Sequence, residues 1–216
     1  MNIIFLGPPS CGKGTQSKII AKEYKTKHIS TGELLREKTS NPRDPLGLEI
    51  KELISKGILV DDELIIKVID EEVSKLDNDE GILFDGFPRT LEQARLLDQL
   101  FKKYGRSIDY VINFEIDDRV LMERISGRRS CPDCGNSYHI KFNPPKVDNT
   151  CDVCGAKLII REDDNESSAK VRLTNYYALT YPLIDYYKYQ GKLVNIDALQ
   201  DIDKVSKDIK NILGGK

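Results

Sequence analysis

Residues 7–15 read Gly-Pro-Pro-Ser-Cys-Gly-Lys-Gly-Thr, and this stretch, which we call the glycine loop, decides the fold. The apolar run Ile3–Leu6 before it predicts a buried strand, and the segment Gln16–Tyr24 after it predicts a helix. A strand, a glycine-rich turn and a helix are the context of a phosphate-binding loop, because glycines let successive N–H groups surround phosphate oxygens at a helix N-terminus. Lys13 would reach the outer phosphates.

The glycine loop differs from the usual motif at one position. The motif has Ser or Thr directly after the lysine, whereas Gly14 comes before Thr15 here. The alternative interpretation is a tight strand–helix turn with a surface lysine. Cys11 is interpreted as a small thiol packed inside the loop.

Length and charge favour one globular domain that needs no nucleic acid or membrane as partner. The chain has 216 residues, and 33 basic against 35 acidic residues leave a formal charge of −2. It contains no apolar run of membrane-spanning length and no signal-peptide pattern, so we expect a cytoplasmic protein. We also expect a monomer.

Short apolar runs alternate with amphipathic segments, which predicts an α/β fold with a doubly wound, five-stranded parallel sheet. Strands are expected at residues 3–6, near 28–30, and at 81–85, 111–114 and 193–196. Helices are expected at 16–24, after 30, and at 46–56, 61–76, 90–104, 117–126, 167–189 and 201–213, and the helix of 167–189 has a candidate kink before Pro182. Ligands bind at the carboxyl ends of such strands, where the glycine loop and Asp85 fall.

Local signals place several helix ends. Ser30 with Glu33 and Thr90 with Gln93 have the spacing of capping boxes, and Asp61 is a predicted N-cap. Breaks are expected near Asn41-Pro42 and Asp44-Pro45. Because the helices of 30–60 have no strand between them, we expect a small lobe inserted into the α/β pattern.

Four cysteines form two C-x-x-C pairs, Cys131 with Cys134 and Cys151 with Cys154. This spacing is typical of a structural zinc site in which four thiolates complete a tetrahedron. Two disulfides or a redox pair are the alternatives, and a cytosolic location disfavours both.

Asp85 ends a predicted strand beside the glycine loop, where an acid can hold Mg²⁺ through water, although a turn or helix cap is the alternative. Six arginines lie near predicted loops or element ends and could together bind phosphate: Arg36, Arg89, Arg124, Arg128, Arg161 and Arg172.

Across nearly its whole length the chain resembles the adenylate kinases, in the bacterial form whose long lid carries zinc. The resemblance rests on GPPSCGKGTQ (7–16), ISTGELLR (29–36), FDGFPRT (84–90), RISGRR (124–129), YHIKFNPPK (138–146), REDDNE (161–166) and KVRL (170–173). The family's loop normally reads GKGT, which accounts for Gly14. Ser10 stands where the family usually has glycine.

The resemblance implies phosphoryl transfer from MgATP to AMP, giving two ADP, by positioning and electrostatic stabilisation with lid closure. It implies ATP contacts from Gly12, Lys13, Gly14, Thr15, Arg124, Arg128, Ser137, Tyr138 and Gln200. It implies AMP contacts from Thr31, Arg36, Ile58, Leu59, Val60, Gly86, Arg89, Gln93, Arg161 and Arg172. Of these, Lys13, Arg89, Arg124, Arg128, Arg161 and Arg172 would be catalytic, Asp85 would organise Mg²⁺ water, Asp163 and Asp164 would tie the closed lid, and the cysteines would hold structural Zn²⁺.

The expected division is a core of residues 1–29, 61–126 and 165–216, an AMP-binding lobe of 30–60, and a zinc-binding lid of 127–164. Two rival functions stay open. One is a kinase for another nucleoside monophosphate on the same scaffold. The other is a zinc-ribbon nucleic-acid-binding protein with a nucleotide site. The cysteine region argues against it, because it lacks a dense basic patch with interleaved aromatics.

Overall fold

The computed structural model describes residues 1–39 and 45–214, and the breaks predicted near Asn41-Pro42 and at Asp44 lie outside them. The main sheet consists of β1 (Asn2–Leu6), β2 (Lys27–Ser30), β3 (Ile82–Asp85), β4 (Tyr110–Glu115) and β7 (Leu193–Asp197). Its order is β2-β3-β1-β4-β7, and every neighbouring pair is parallel. The predicted five-stranded parallel sheet is therefore confirmed.

Helices follow most strands, as a doubly wound sheet requires. Their bounds are α1 (Lys13–Tyr24), α2 (Thr31–Lys38), α3 (Pro45–Ser55), α4 (Asp62–Val73), α5 (Leu91–Lys103), α6 (Asp118–Ser126), α7 (Glu166–Asn175), α8 (Leu183–Tyr189) and α9 (Ile202–Ile212). No helix within residues 1–39 and 45–214 is long and apolar enough to cross a membrane.

The two faces of the sheet build two apolar cores. Successive strand side chains point to opposite faces, so Ile4 and Phe84 join a core that includes Leu97 of α5. Phe5 and Phe114 belong to the opposite core, which includes Ile209 of α9. Because both faces are covered, the central strands β1, β3 and β4 are mostly apolar runs, whereas the edge strand β2 reads Lys-His-Ile-Ser.

The predicted caps form, but both capping boxes are only half complete. The hydroxyls of Ser30 and Thr90 accept from the backbone N–H groups of Glu33 and Gln93, and Asp61 accepts from the first turn of α4. Gln93 does not bond back to Thr90: its Oε1 accepts from the N–H of Arg89, at 2.7 Å. The side chain is thus turned towards a different partner.

The helix predicted over residues 167–189 is interrupted just before Pro182, where a kink is expected. It consists of α7, a π-helical turn over Tyr176–Thr180, and α8. The N–H of Tyr181 donates to the carbonyl of Tyr176 at 2.7 Å, five residues back. Pro182 has no N–H to continue the ladder, so the wider turn lies immediately before it.

Residues 127–164, which we call the cysteine module, interrupt the α/β alternation between α6 and α7. The module contains the antiparallel pair β5 (Arg128–Ser130) and β6 (Ser137–His139). Its apolar cluster is small, with Cys131, Tyr138, Cys151 and Leu158 as the buried members. So few apolar side chains favour a metal as the module's stabilising element.

Candidate active site

A cavity of about 990 Å³ opens at the carboxyl ends of the strands. The glycine loop forms one wall, and the other walls come from α2, the segment after α3, the turn after β3, α6, the cysteine module and α7. All six candidate arginines line it: Arg36, Arg89, Arg124, Arg128, Arg161 and Arg172. Elements far apart in sequence therefore deliver their cations to one space.

The glycine loop wraps around the side chain of its own lysine. Gly12, with a φ of 110°, is the N-cap of α1, a conformation that favours glycine. The Nζ of Lys13 donates to the carbonyls of Gly7 at 2.7 Å and Pro8 at 2.8 Å. Cys11 is 2% exposed, and its Sγ lies 3.4 Å from the same Nζ, so the thiol is packed inside the loop.

Ser10 adopts the left-handed backbone conformation, with a φ of 61°. A side chain costs about 1–2 kcal/mol there, which explains why glycine suits the position. Its hydroxyl accepts a hydrogen bond from Nη1 of Arg128 at 3.0 Å. The contact joins the glycine loop directly to the cysteine module.

The module contacts the core a second time through α1. Nζ of Lys18 donates to the carbonyl of Cys134 at 3.0 Å and lies 3.5 Å from Oε1 of Glu33 on α2. This lysine therefore joins the metal-binding part of the module to two helices that border the cavity.

Asp85 ends β3 beside the glycine loop, as expected. Its Oδ2 would lie 3.3 Å from a Cβ added to Gly14, so a side chain at position 14 would displace the carboxylate by a few tenths of an ångström. Burial raises the pKa of Asp85, but nearby His28 and Lys13 outweigh burial and hold the pKa below its usual value. An ionised carboxylate next to a phosphate loop suits an oxygen-preferring cation such as Mg²⁺.

Two aspartates partly balance the arginines. Arg128 forms a two-point ion pair with Asp164, whereas Nη1 of Arg172 lies 3.0 Å from Asp163 and 3.5 Å from Asp164. Burial, with Arg128 and Arg36 close by, lowers the pKa of Arg161 to about 9. Burial and Arg128 lower that of Arg172 to about 10. Both groups stay cationic at neutral pH.

Arg172 is held by a close approach between α7 and the end of α3. Gly57 has a φ of 72°, and a Cβ added there would lie 2.8 Å from Cγ of Arg172 and 2.9 Å from the carbonyl of Ser168. Ser168 and Asn175 donate to the carbonyls of Ser55 and Gly57, at 2.6 and 3.0 Å. Only glycine permits this contact.

Arg36 and Arg124 are positioned by other elements. Arg36 of α2 covers Gly32, where an added Cβ would lie 3.1 Å from Nη2, and burial lowers its pKa. Arg124 of α6 donates to the carbonyls of Cys11 and Ala198, both at 3.0 Å. It therefore bridges the glycine loop and the segment after β7.

Most of the predicted nucleotide contacts line the cavity, including Gly12–Thr15, Ile58–Val60, Gly86, Ser137, Tyr138 and Gln200. Among the predicted residues that the structure describes, Thr31 and Gln93 do not line it. Thr31 donates to the carbonyl of Gly86 at 2.8 Å, and Gln93 is 3% exposed. Gln200 lines the cavity while its amide donates to Asp197 and Asp208.

Sequence reasoning missed several residues around the cavity. Asn175 and Tyr176 line it from the junction of α7 and the π-turn, and His139 and Phe142 line it from the cysteine module. The ring of Phe142 lies 5.6 Å from the guanidinium carbon of Arg124. Their positions depend on contacts between elements that are distant in sequence, and the identity of a residue does not predict such contacts.

The four module cysteines are brought together as predicted. Their sulfurs all lie within 4.8 Å of one another. Sγ of Cys131 lies 3.4 Å from that of Cys154, and Sγ of Cys134 lies 3.5 Å from that of Cys151. Zinc–sulfur bonds of about 2.3 Å require tetrahedral sulfur separations of roughly 3.8 Å, so the quartet fits one Zn²⁺ with little adjustment.

Comparisons with known proteins agree on one family. A family model described as adenylate kinase matches residues 5–192. The adenylate kinase of Bacillus licheniformis is 48% identical over 216 residues, covering 100% of this chain and 99% of the relative. That of Bacillus subtilis is 47% identical over 215 residues with the same coverage. That of Caldicellulosiruptor bescii is 45% identical over 214 residues, covering 99% of each chain.

Metal content tests the cysteine cluster. We expect about one zinc per chain in the wild type and near-complete loss in Cys154→Ser, because three thiolates hold a structural zinc poorly. Hydrogen exchange should rise in residues 131–160 of the variant while the main sheet stays protected. Cys11→Ser is the matched control and should keep its zinc. A zinc content in Cys154→Ser equal to that of the wild type would contradict the assignment.

The backbone of Ser10 gives a stability test. Ser10→Gly and Ser10→Ala both remove the hydroxyl that Arg128 contacts, but only glycine relieves the positive φ. Glycine should therefore be the more stable of the two variants by about 1 kcal/mol, after allowance for its greater freedom in the unfolded chain. Thermal melting should show a difference of about 2–4 °C. An alanine variant that melts at or above the glycine variant is the contrary result.

Proposed function

The chain belongs to the adenylate kinase family, and we propose that it transfers the terminal phosphoryl group of MgATP to AMP, forming two ADP. One observation carries the proposal: a single cavity holds the glycine loop together with six arginines from separate elements. An oxygen of the AMP phosphate would attack the terminal phosphorus of ATP as its bond to the ADP oxygen breaks. The reaction needs fixed positive charge more than a reactive side chain.

The two nucleotides would occupy opposite ends of the cavity. Gly12–Thr15 with Arg124 and Arg128 would hold the ATP phosphates, and Ser137, Tyr138 and Gln200 would line the rest of that site. AMP would lie against Arg36, Gly86, Arg89 and the Ile58–Val60 segment, with Thr31 and Gln93 behind them. Arg161 lies near Arg36 and Arg128, and Arg172 lies near Arg89 and Arg128, which suits both to the transferring group.

Mg²⁺ would neutralise the phosphate oxygens, and Asp85 would hold it through water. Lys13 would exchange its contacts with the loop carbonyls for contacts with phosphate oxygens. Orienting both substrates in one dry space supplies much of the rate enhancement. Because the cysteine module contacts the glycine loop through Arg128 and α1 through Lys18, its closure would exclude water and prevent loss of the phosphoryl group to hydrolysis.

We further propose the division into a core of 1–29, 61–126 and 165–216, an AMP-binding lobe of 30–60 and a lid of 127–164. The lid would be stiffened by Zn²⁺ on Cys131, Cys134, Cys151 and Cys154, with no part in the chemistry. Asp163 pairs with Arg172 across the lid–core boundary, so closing the lid would assemble the charge cluster. A cytoplasmic monomer stays a prediction of the sequence.

A coupled assay of ADP formation tests the proposed function. Wild-type protein with MgATP and AMP should form ADP, and Lys13→Ala should be slower by about 10²–10³-fold, the usual effect of removing one donor from a developing charge. Lys22→Ala, an exposed lysine on the same helix, is the matched control and should match the wild type. AMP should exceed GMP, CMP and UMP as acceptor. A wild type inactive with AMP would contradict the proposal, and preference for another acceptor would identify a different nucleoside monophosphate kinase.

A further inference from the structure

The backbone of Arg89 is held from both sides by side chains of other elements. Its N–H donates to Oε1 of Gln93 at 2.7 Å, and its carbonyl accepts from Oγ1 of Thr180 at 2.8 Å. Gln93 and Thr180 are 3% and 8% exposed, so water competes little with either bond. Both polar groups of the Arg89 backbone are therefore fixed by buried side chains.

The side chain of Arg89 continues the same network. Its Nε donates to the carbonyl of Gly86 at 2.7 Å, and Thr31 donates to that carbonyl at 2.8 Å. Burial lowers the pKa of Arg89, and the charge of Asp85 opposes this effect. In the described part of the chain, Nη1 and Nη2 of Arg89 have no hydrogen-bond partner. Two nitrogens of a planar fork are thus left for an anion in the cavity.

Asp62, in the first turn of α4, determines which way the amide of Gln93 points. Oδ1 of Asp62 accepts from Nε2 of Gln93 at 2.7 Å, and Oδ2 accepts from the hydroxyl of Thr90 at 3.1 Å. A carboxylate has only acceptors, so the NH₂ of Gln93 must face Asp62 and its carbonyl oxygen must face the N–H of Arg89. Through Gln93, Asp62 thereby fixes the backbone N–H of Arg89 without contacting Arg89 itself.

Thr180 reaches Arg89 because the helix is broken at this point. It is the last residue of the π-helical turn Tyr176–Thr180, and only Tyr181 and Pro182 separate this turn from α8. Wide turns of this kind often occur at functional sites, since they redirect one or two side chains without ending the helix. Here the redirected hydroxyl of Thr180 donates a hydrogen bond to the carbonyl of Arg89.

We propose that Asp62 and Thr180 are positioning residues for Arg89, and that they set how this arginine receives the AMP phosphate. The inference rests on the proposed function. Asp62 does not line the cavity, so it acts only through the orientation of Arg89. Thr180 does line the cavity, but its hydroxyl donates to the carbonyl of Arg89. The ATP side, held by the glycine loop and Arg124, has no contact with either. Their loss should therefore weaken use of AMP and leave use of ATP nearly intact.

Steady-state kinetics with each substrate varied in turn separates these effects. Thr180→Val and Asp62→Leu should lower kcat/KM for AMP by about tenfold, the loss expected for one well-placed hydrogen bond. The KM for ATP should change by less than about twofold in both, since the ATP contacts are untouched. Thr180→Ser keeps the hydroxyl and Asp62→Asn keeps an acceptor for Gln93, so both should recover most of the lost activity.

Tyr104→Phe is the matched control. The hydroxyl of Tyr104 donates to Oδ1 of Asp70 at 2.7 Å and joins the same pair of helices, α5 and α4, far along both from Arg89. It should lower the melting temperature and leave the kinetics for AMP unchanged. A role limited to stability would instead give Asp62→Leu the same pattern as this control.

The outcomes are distinct. An active wild type whose Thr180→Val and Asp62→Leu variants use AMP normally overturns the inference alone. Equal losses for AMP and ATP, or a Thr180→Ser variant as impaired as Thr180→Val, also overturn it. A wild type that forms no ADP overturns the proposed function and this inference together.

Discussion

Mutual repulsion among buried arginines is the constraint on which the site depends. Arg128, Arg161 and Arg172 share one cavity wall, and Asp163 and Asp164 balance only part of their charge. The lowered pKa values of Arg161, about 9, and Arg172, about 10, reflect both burial and this repulsion. The two aspartates and the packing around the arginine side chains offset this repulsion in the folded chain. Phosphate groups would supply the missing negative charge. The arginine cluster is therefore electrostatically more favourable with nucleotides bound than without them.

The rest of the fold brings those charges to one place. The parallel sheet places the glycine loop and Asp85 at the same edge, and helices from both faces border the cavity above it. Gly57 allows α3 to meet α7 at Arg172, and Ser10 links the glycine loop to Arg128. Each device joins elements distant in sequence. A small displacement at any of them would move an arginine away from the point where charge develops, and well-oriented contacts lose their effect steeply with distance.

Features encoded locally could be predicted from the sequence. Apolar runs identify β1, β3, β4 and β7 of the main sheet, Asp61 caps α4, and the paired cysteines come together as their spacing indicates. Features that depend on distant contacts could not be predicted. Gln93 has the spacing of a capping box, yet Asp62, 31 residues earlier, turns its amide towards Arg89. Pro182 signals a kink at the break over Tyr176–Thr180, but nothing in the local sequence shows that a wide turn there brings Thr180 to the carbonyl of Arg89.

In the proposed reaction, fixed positive charge drives the phosphoryl transfer without a general base. The most direct measurement is the rate constant of the chemical step, from rapid-quench single turnovers at saturating MgATP and AMP, between about pH 7.5 and about pH 8.5. Across this range the phosphates stay ionised and the arginines stay mostly cationic, Arg161 with its pKa of about 9 included, so the rate constant should change by less than about twofold. A rise approaching tenfold per pH unit would reveal a group that must lose a proton, and would contradict the account.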